Sequence, residues 1–272
     1  MSPIHRRFDP GKLAEDAARW IAQEVERAGA AGGVLGLSGG LDSAVTAALA
    51  ARALGERALG LVMPCESRQL DEEHARLVAR ATGLRVERVS LDAAFAALAA
   101  ATGCSGDARP PGRRPSREEL ARANLKPRLR MATLYCYANR LSYLVIGTSN
   151  KSELLLGYFT KHGDGAADIL PLGALYKTEV RELARALGIP REVIEKPPSA
   201  GLWEGQTTEG ELGLSYDDID AALQALESGA AGGVRPEVLE RVRALVAGAS
   251  HKRAPAPVFL PRGAASGPAV RS

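Results

Sequence analysis

Aromatic residues make up only 4% of the 272 residues, and cysteine occurs three times, as Cys65, Cys104 and Cys136. An odd, widely spaced set without a Cys-x-x-Cys pair excludes a disulfide framework and a cysteine zinc site. No apolar run approaches the roughly 20 residues that span a bilayer. Met1 to Asp9 carries His and Arg but no apolar core, so no secretory signal is expected. The expected compartment is the cytoplasm. Charge of one sign is also scarce. A net charge of +3 lacks the concentrated basic face of a nucleic-acid binder, yet suits an anionic small substrate.

What is present is a regular alternation of elements. Leu13, Ala17, Trp20, Ile21, Val25 and Ala28 recur at helical spacing and predict an amphipathic helix over 10–29. Short strands are expected at Val34–Leu37, Leu59–Met63, Arg85–Ser90 and Tyr143–Gly147. Between them the pattern predicts helices at Ala44–Leu54, Leu70–Thr82 and Leu91–Ala101. A long helix at Arg117–Arg140 is expected to break at Pro127. Further helices are expected at Tyr176–Leu187, 215–228 and 235–247. The fold class is α/β, a doubly wound parallel sheet flanked by helices. Gly103–Ser116 has almost no apolar residue and reads as a mobile loop of the kind that forms lids. Residues 1–255 are expected to form one domain, and 256–272, rich in Pro, Gly and Ala, a disordered tail.

Ser38-Gly39-Gly40-Leu41-Asp42-Ser43 sits between the first strand and a helix. The glycines let backbone approach phosphate oxygens, the helix start offers free N–H groups, and the serines add hydroxyl donors. Asp42 suits a Mg²⁺ ion that bridges phosphates. The turn lacks the Gly-Lys-Ser/Thr ending of a Walker loop. It resembles the loop of the ATP pyrophosphatases, which implies cleavage of ATP between the α and β phosphates. It also implies a Rossmann-like fold of the adenine nucleotide alpha hydrolase type.

A second stretch is more specific. It runs Gly147-Thr148-Ser149-Asn150-Lys151-Ser152-Glu153, then Gly157-Tyr158-Phe159-Thr160-Lys161-His162-Gly163-Asp164-Gly165-Ala166-Ala167-Asp168, and on through Pro171-Leu172 to Leu175-Tyr176-Lys177. Arg128 and Arg130 precede it; Lys196-Pro197-Pro198-Ser199-Ala200 and His251-Lys252-Arg253 follow. Together with the glycine turn, these segments resemble the NAD synthetase family over nearly the whole chain. The resemblance implies a homodimeric ligase that amidates deamido-NAD with ATP as co-substrate, Mg²⁺ and ammonia. Its implied products are NAD, AMP and pyrophosphate, formed through an acyl-adenylate.

Carried over position by position, the resemblance gives ATP contacts to Gly36, Leu37, Ser38, Gly39, Gly40, Leu41, Asp42, Ser43, Thr148, Lys177 and Ser199. It gives deamido-NAD contacts to Arg128, Lys161, Asp168, His251 and Lys252, and metal ligation to Asp42 and Glu153. Lys177 and Asp168 are the implied catalytic residues. Lys177 neutralises phosphate charge and Asp168 accepts the proton that ammonia loses. Arg130 reads as a solvated surface charge. Ala166 stands where the family has a second glycine, which matters if that position needs a positive φ.

Some family members carry an upstream glutaminase domain with a cysteine nucleophile. The residues ahead of Val34 are too few for one, and Cys104 has no evident base, so ammonia is the expected nitrogen donor. A separate glutaminase partner stays open. So do two other readings, a tRNA-modifying thiolase of the same superfamily and a nucleotide-binding regulatory module without turnover.

Overall fold

In the computed structural model the chain is described at residues 8–104, 115–203, 205–230 and 233–259. Most of the 103–116 stretch and of the C-terminal tail lies outside those residues.

The sheet comprises β1 (Gly32–Gly36), β2 (Ala58–Val62), β3 (Arg85–Arg88) and β4 (Tyr143–Val145). Its order is β3-β2-β1-β4 and every pairing is parallel. A single bridge between Ile146 and Ile169 extends the far edge. Chain order therefore runs outward from β1 and then returns to its other side. The connections that leave β1 and β4 diverge, which opens a crevice at their carboxyl ends.

Strand residues alternate between the two faces. Leu35 enters one core with residues of α1 (Pro10–Arg27), α2 (Leu41–Leu54), α3 (Gln69–Thr82), α8 (Lys177–Ala186) and α9 (Arg191–Ile194). Its neighbour Val34 enters the other, with Phe95 of α4 (Asp92–Ala101) and Ala138 of α6 (Leu125–Leu141). Burial on both faces explains why β1 and β2 carry no polar alternation, whereas the edge strand β3 is largely exposed and charged. A third core joins α7 (Lys151–Leu156), α10 (Thr208–Leu212), α11 (Tyr216–Ser228) and α12 (Pro236–Gly248) beside the sheet. The short α13 (Ser250–Arg253) follows. No helix among the described residues is long and apolar enough to cross a membrane.

α2 begins at Leu41, directly after the Gly-Gly turn as the loop reading expects and three residues before the alanine-rich run that starts at Ala44. One boundary differs from expectation. The long helix breaks at Asn124, which closes α5 (Arg117–Ala123) and opens α6, while Pro127 lies inside the first turn of α6. A proline there sacrifices no intrahelical hydrogen bond, so it does not break the helix.

Candidate active site

The turn after β1 is closed by its own serines. Ser38 Oγ and Ser43 Oγ lie 2.9 Å apart, Ser38 N–H donates to Ser43 Oγ at 3.2 Å, and Ser43 Oγ donates to the Gly40 carbonyl at 3.0 Å. Gly40 is the N-cap of α2 and supplies no side-chain cap, so the start of this 14-residue helix lacks a side-chain acceptor. Such an end attracts anionic oxygen. Gly39 takes φ = +74° and lies flush against α3; a Cβ there would sit 2.2 Å from the Asp71 carbonyl oxygen. Lys196 steadies the turn from behind, with Nζ donating to the Gly39 carbonyl at 3.0 Å and to Asp71 Oδ1 at 2.7 Å.

Across the crevice, α7 starts with a reciprocal cap. Glu153 N–H donates to Asn150 Oδ1 at 3.0 Å, and the Glu153 carboxylate faces back toward the Asn150 N–H. Asn150 Nδ2 also donates to Asp42 Oδ1 at 3.0 Å, which ties the α7 cap to the glycine turn. The buried Lys177 contacts Asp42 Oδ2, and its Nζ lies 3.6 Å from Glu153 Oε1. Two carboxylates from separate helices thus converge on one ammonium. Burial and the neighbouring Asp42 charge push the Glu153 carboxyl up to about 8. Burial alone would lower the Lys177 ammonium, but Asp42 and Glu153 outweigh it and the net shift is upward.

One cavity of about 670 Å³ contains these groups. Gly36, Leu37, Ser38, Gly40, Leu41, Asp42, Ser43, Thr148, Glu153, Lys177 and Ser199 line it, and Gly39 does not. Arg128, Lys161, His251 and Lys252 line the same cavity. Here both lysines brace backbone: Lys161 Nζ donates to the His251 carbonyl at 2.7 Å, and Lys252 Nζ to the Gly157 and Phe159 carbonyls at 2.7 and 2.8 Å. Burial lowers the Lys252 ammonium against the opposing pull of Asp164.

Asp168 is not brought to this cavity. It is exposed at the outer side of β4, where Oδ2 accepts the Val145 N–H at 2.7 Å and Oδ1 accepts the Tyr135 hydroxyl at 3.2 Å. Asp164 is the aspartate of that segment that lines the cavity. Arg130 is no solvated charge: it lines the cavity and donates to the Met63 carbonyl at 3.2 Å and to Ser67 Oγ at 3.1 Å. Ala166 does not take a positive φ, so the alanine is unstrained. The glycine that matters is Gly165, where a Cβ would lie 2.3 Å from the Phe159 ring. Sequence reasoning missed Asn150 and Lys196. The Asn-x-x-Glu spacing signals the first as a cap; nothing local signals the second.

The family model described as NAD synthase matches residues 13–256. The chain belongs to the NAD synthase family. An NH(3)-dependent NAD(+) synthetase of Finegoldia magna is 48% identical over 212 residues, which cover 78% of this chain and 83% of the relative. An NMN synthetase structure from Francisella tularensis superposes with a TM-score of 0.82 at 35% identity, over 94% of this chain and all of that one. The NH3-dependent NAD synthetase of Campylobacter jejuni, in complex with nitrate, gives 0.77 at 30% identity, over 93% of this chain and all of that one. The α/β sheet is therefore that of an ATP-using ligase family.

Proposed function

We propose that this chain amidates deamido-NAD to NAD at the cavity between β1 and β4, with ammonia as nitrogen donor and ATP split to AMP and pyrophosphate. The observation that carries the reading is the convergence of Asp42, Glu153 and Lys177 beside an uncapped helix start. A nicotinate oxygen attacks the α-phosphorus of ATP, and pyrophosphate leaves toward the α2 N-terminus, Ser38 and Ser43. Lys177 offsets the negative charge that builds on the transferring phosphoryl group. Ammonia then attacks the acyl carbon, loses a proton, and AMP departs.

The donor set fits Mg²⁺. Two hard carboxylates already face a common cation, and among the described residues no third His, Cys, Asp or Glu joins them. Such an ion would take its remaining ligands from phosphate oxygens and water. Bound there, Mg²⁺ would supply charge stabilisation at the phosphates. Thr148 and Ser199 lie on the ATP side of the proposed arrangement, and Arg128, Lys161, His251 and Lys252 on the deamido-NAD side. Their cations match a pyrophosphate and a carboxylate.

A homodimer is part of the proposal. A separate glutaminase as ammonia source and a cytoplasmic setting also belong to the proposal. A second reading, amidation of the mononucleotide, is favoured by the likeness to the Francisella tularensis enzyme named for NMN.

One assay separates these readings. The chain is given ATP, Mg²⁺, ammonium and either deamido-NAD or nicotinate mononucleotide, and NAD, NMN and AMP are quantified. NAD and AMP in equal amounts support the proposal. NMN alone moves the substrate to the mononucleotide, and neither amide product removes the reading.

A further inference from the structure

Glu153 and Lys177 stand on different helices, α7 and α8, yet their side chains must share one ion and one phosphate group. Their spacing is set by a third helix. Asp220 of α11 is 1% exposed and does not line the cavity. Its Oδ1 accepts the hydroxyl of Ser152, the residue before Glu153. Its Oδ2 accepts the N–H of Thr178, the residue after Lys177, at 2.9 Å. Ser152 Oγ in turn accepts the Lys177 N–H at 3.0 Å. One buried carboxylate thus fastens the first turns of both helices.

The arrangement answers a local need. The first N–H groups of a helix have no intrahelical acceptor, and Tyr176 gives α8 no side-chain cap. Asp220 and Ser152 fill that place from outside the helix, and a carboxylate suits the positive helix end. An ordinary cap would serve a single helix. Here the cap is shared, so movement at Asp220 changes the distance between the Glu153 carboxylate and the Lys177 ammonium.

We infer that Asp220 is a positioning residue for the reaction: through Ser152 and Thr178 it holds Glu153 and Lys177 in register for the cation and the phosphate, without touching either. The inference rests on the metal role proposed for Glu153. Groups that orient metal ligands typically carry about 10- to 100-fold in affinity or activity.

The test uses the full chain with Asp220→Asn and Ser152→Ala. Asn keeps the size of the carboxylate but has one acceptor oxygen for two donors. Mn²⁺ binding is followed by its paramagnetic resonance in the presence of α,β-methylene ATP, and kcat and KM for ATP are measured separately. Asp9→Ala, which uncaps α1 far from the cavity, is the stability control. The expected result for both site variants is Mn²⁺ affinity lower by about tenfold and kcat lower by about 10- to 100-fold. KM for ATP should stay close to wild type, and the control should lose only stability. Wild-type Mn²⁺ affinity and kcat in folded Asp220→Asn, whatever its melting temperature, would make Asp220 a helix cap alone. If that variant does not fold, Ser152→Ala decides by the same criterion. A wild-type chain that forms no NAD defeats the functional reading; a wild-type chain that does, with indifferent variants, defeats this inference only.

Discussion

Replacing Gly39 with alanine separates the demands of the glycine turn. At φ = +74° an L side chain costs roughly 1–2 kcal/mol. The added Cβ would also lie 2.2 Å from the Asp71 carbonyl oxygen and 3.0 Å from Ala75 N, both backbone atoms of α3. Relieving such overpacking costs a further 1–3 kcal/mol or so, and the sum is roughly 2–5 kcal/mol. At about 2–4 °C per kcal/mol for a chain near this size, the melting temperature should fall by roughly 4–20 °C. Gly29 provides the control. It also takes a positive φ, +63°, but a Cβ there meets nothing within 4 Å. Gly29→Ala should therefore cost only the roughly 1–2 kcal/mol of the left-handed backbone and leave turnover intact. Gly39→Ala must do more than destabilise. To clear α3 the turn has to retreat and take Gly40 and the start of α2 with it, which should lower kcat by about 100-fold. Thermal melts with steady-state ATP kinetics read both effects. Equal melting shifts for the two variants, with unchanged turnover in Gly39→Ala, would refute the close-approach argument.

Other substitutions probe the remaining contacts. Lys177→Met leaves Asp42 and Glu153 facing each other without their cation; removing one partner of a buried pair costs about 3–5 kcal/mol. Added Mg²⁺ should restore part of that loss in a thermal melt while turnover stays abolished, and a melt indifferent to Mg²⁺ would contradict the shared-cation picture. Asn150→Ala removes both the α7 cap and the link to Asp42, with an expected loss of about 1 kcal/mol and weaker ATP binding, measured by calorimetry. The Glu153 carboxyl, raised to about 8 by burial and Asp42 against the pull of Lys177, takes up a proton as pH falls through that value. Cation binding displaces it, so apparent affinity should rise with pH up to about 8 and level off above it. Calorimetry in buffers of different ionisation enthalpy should show proton release at pH 7, and none would count against the shift. Asp168→Asn at saturating ammonium should lower turnover if Asp168 takes the proton from ammonia; unchanged kcat would leave it the role of holding the β4 edge.

The first βα unit was legible because each signal in it is local. A short apolar run, a Gly-Gly turn and a small-residue helix follow one another without interruption, and the helix start they define needs no distant partner. The parallel sheet followed from strands that alternate with helices over the first hundred residues. Legibility failed where a side chain is decided by something far along the chain. Lys196 reaches Gly39 from 157 residues further along the chain. Arg130 has the composition of a surface helix charge, yet the loop after β2 folds over it. Asp168 sits in a segment most of whose residues line the cavity, but the Ile146–Ile169 bridge turns it onto the sheet edge. The break at Asn124 was misplaced because a proline disrupts a helix only beyond its first turn.

The central claim is that a carboxylate oxygen of the substrate attacks the α-phosphorus of ATP beside Asp42, Glu153 and Lys177. Deamido-NAD labelled with ¹⁸O in its nicotinate carboxylate tests it directly, with the products resolved by mass spectrometry. One labelled oxygen should appear in the phosphate of AMP and none in pyrophosphate. Label in pyrophosphate or inorganic phosphate, or unlabelled AMP formed alongside NAD, would contradict the account.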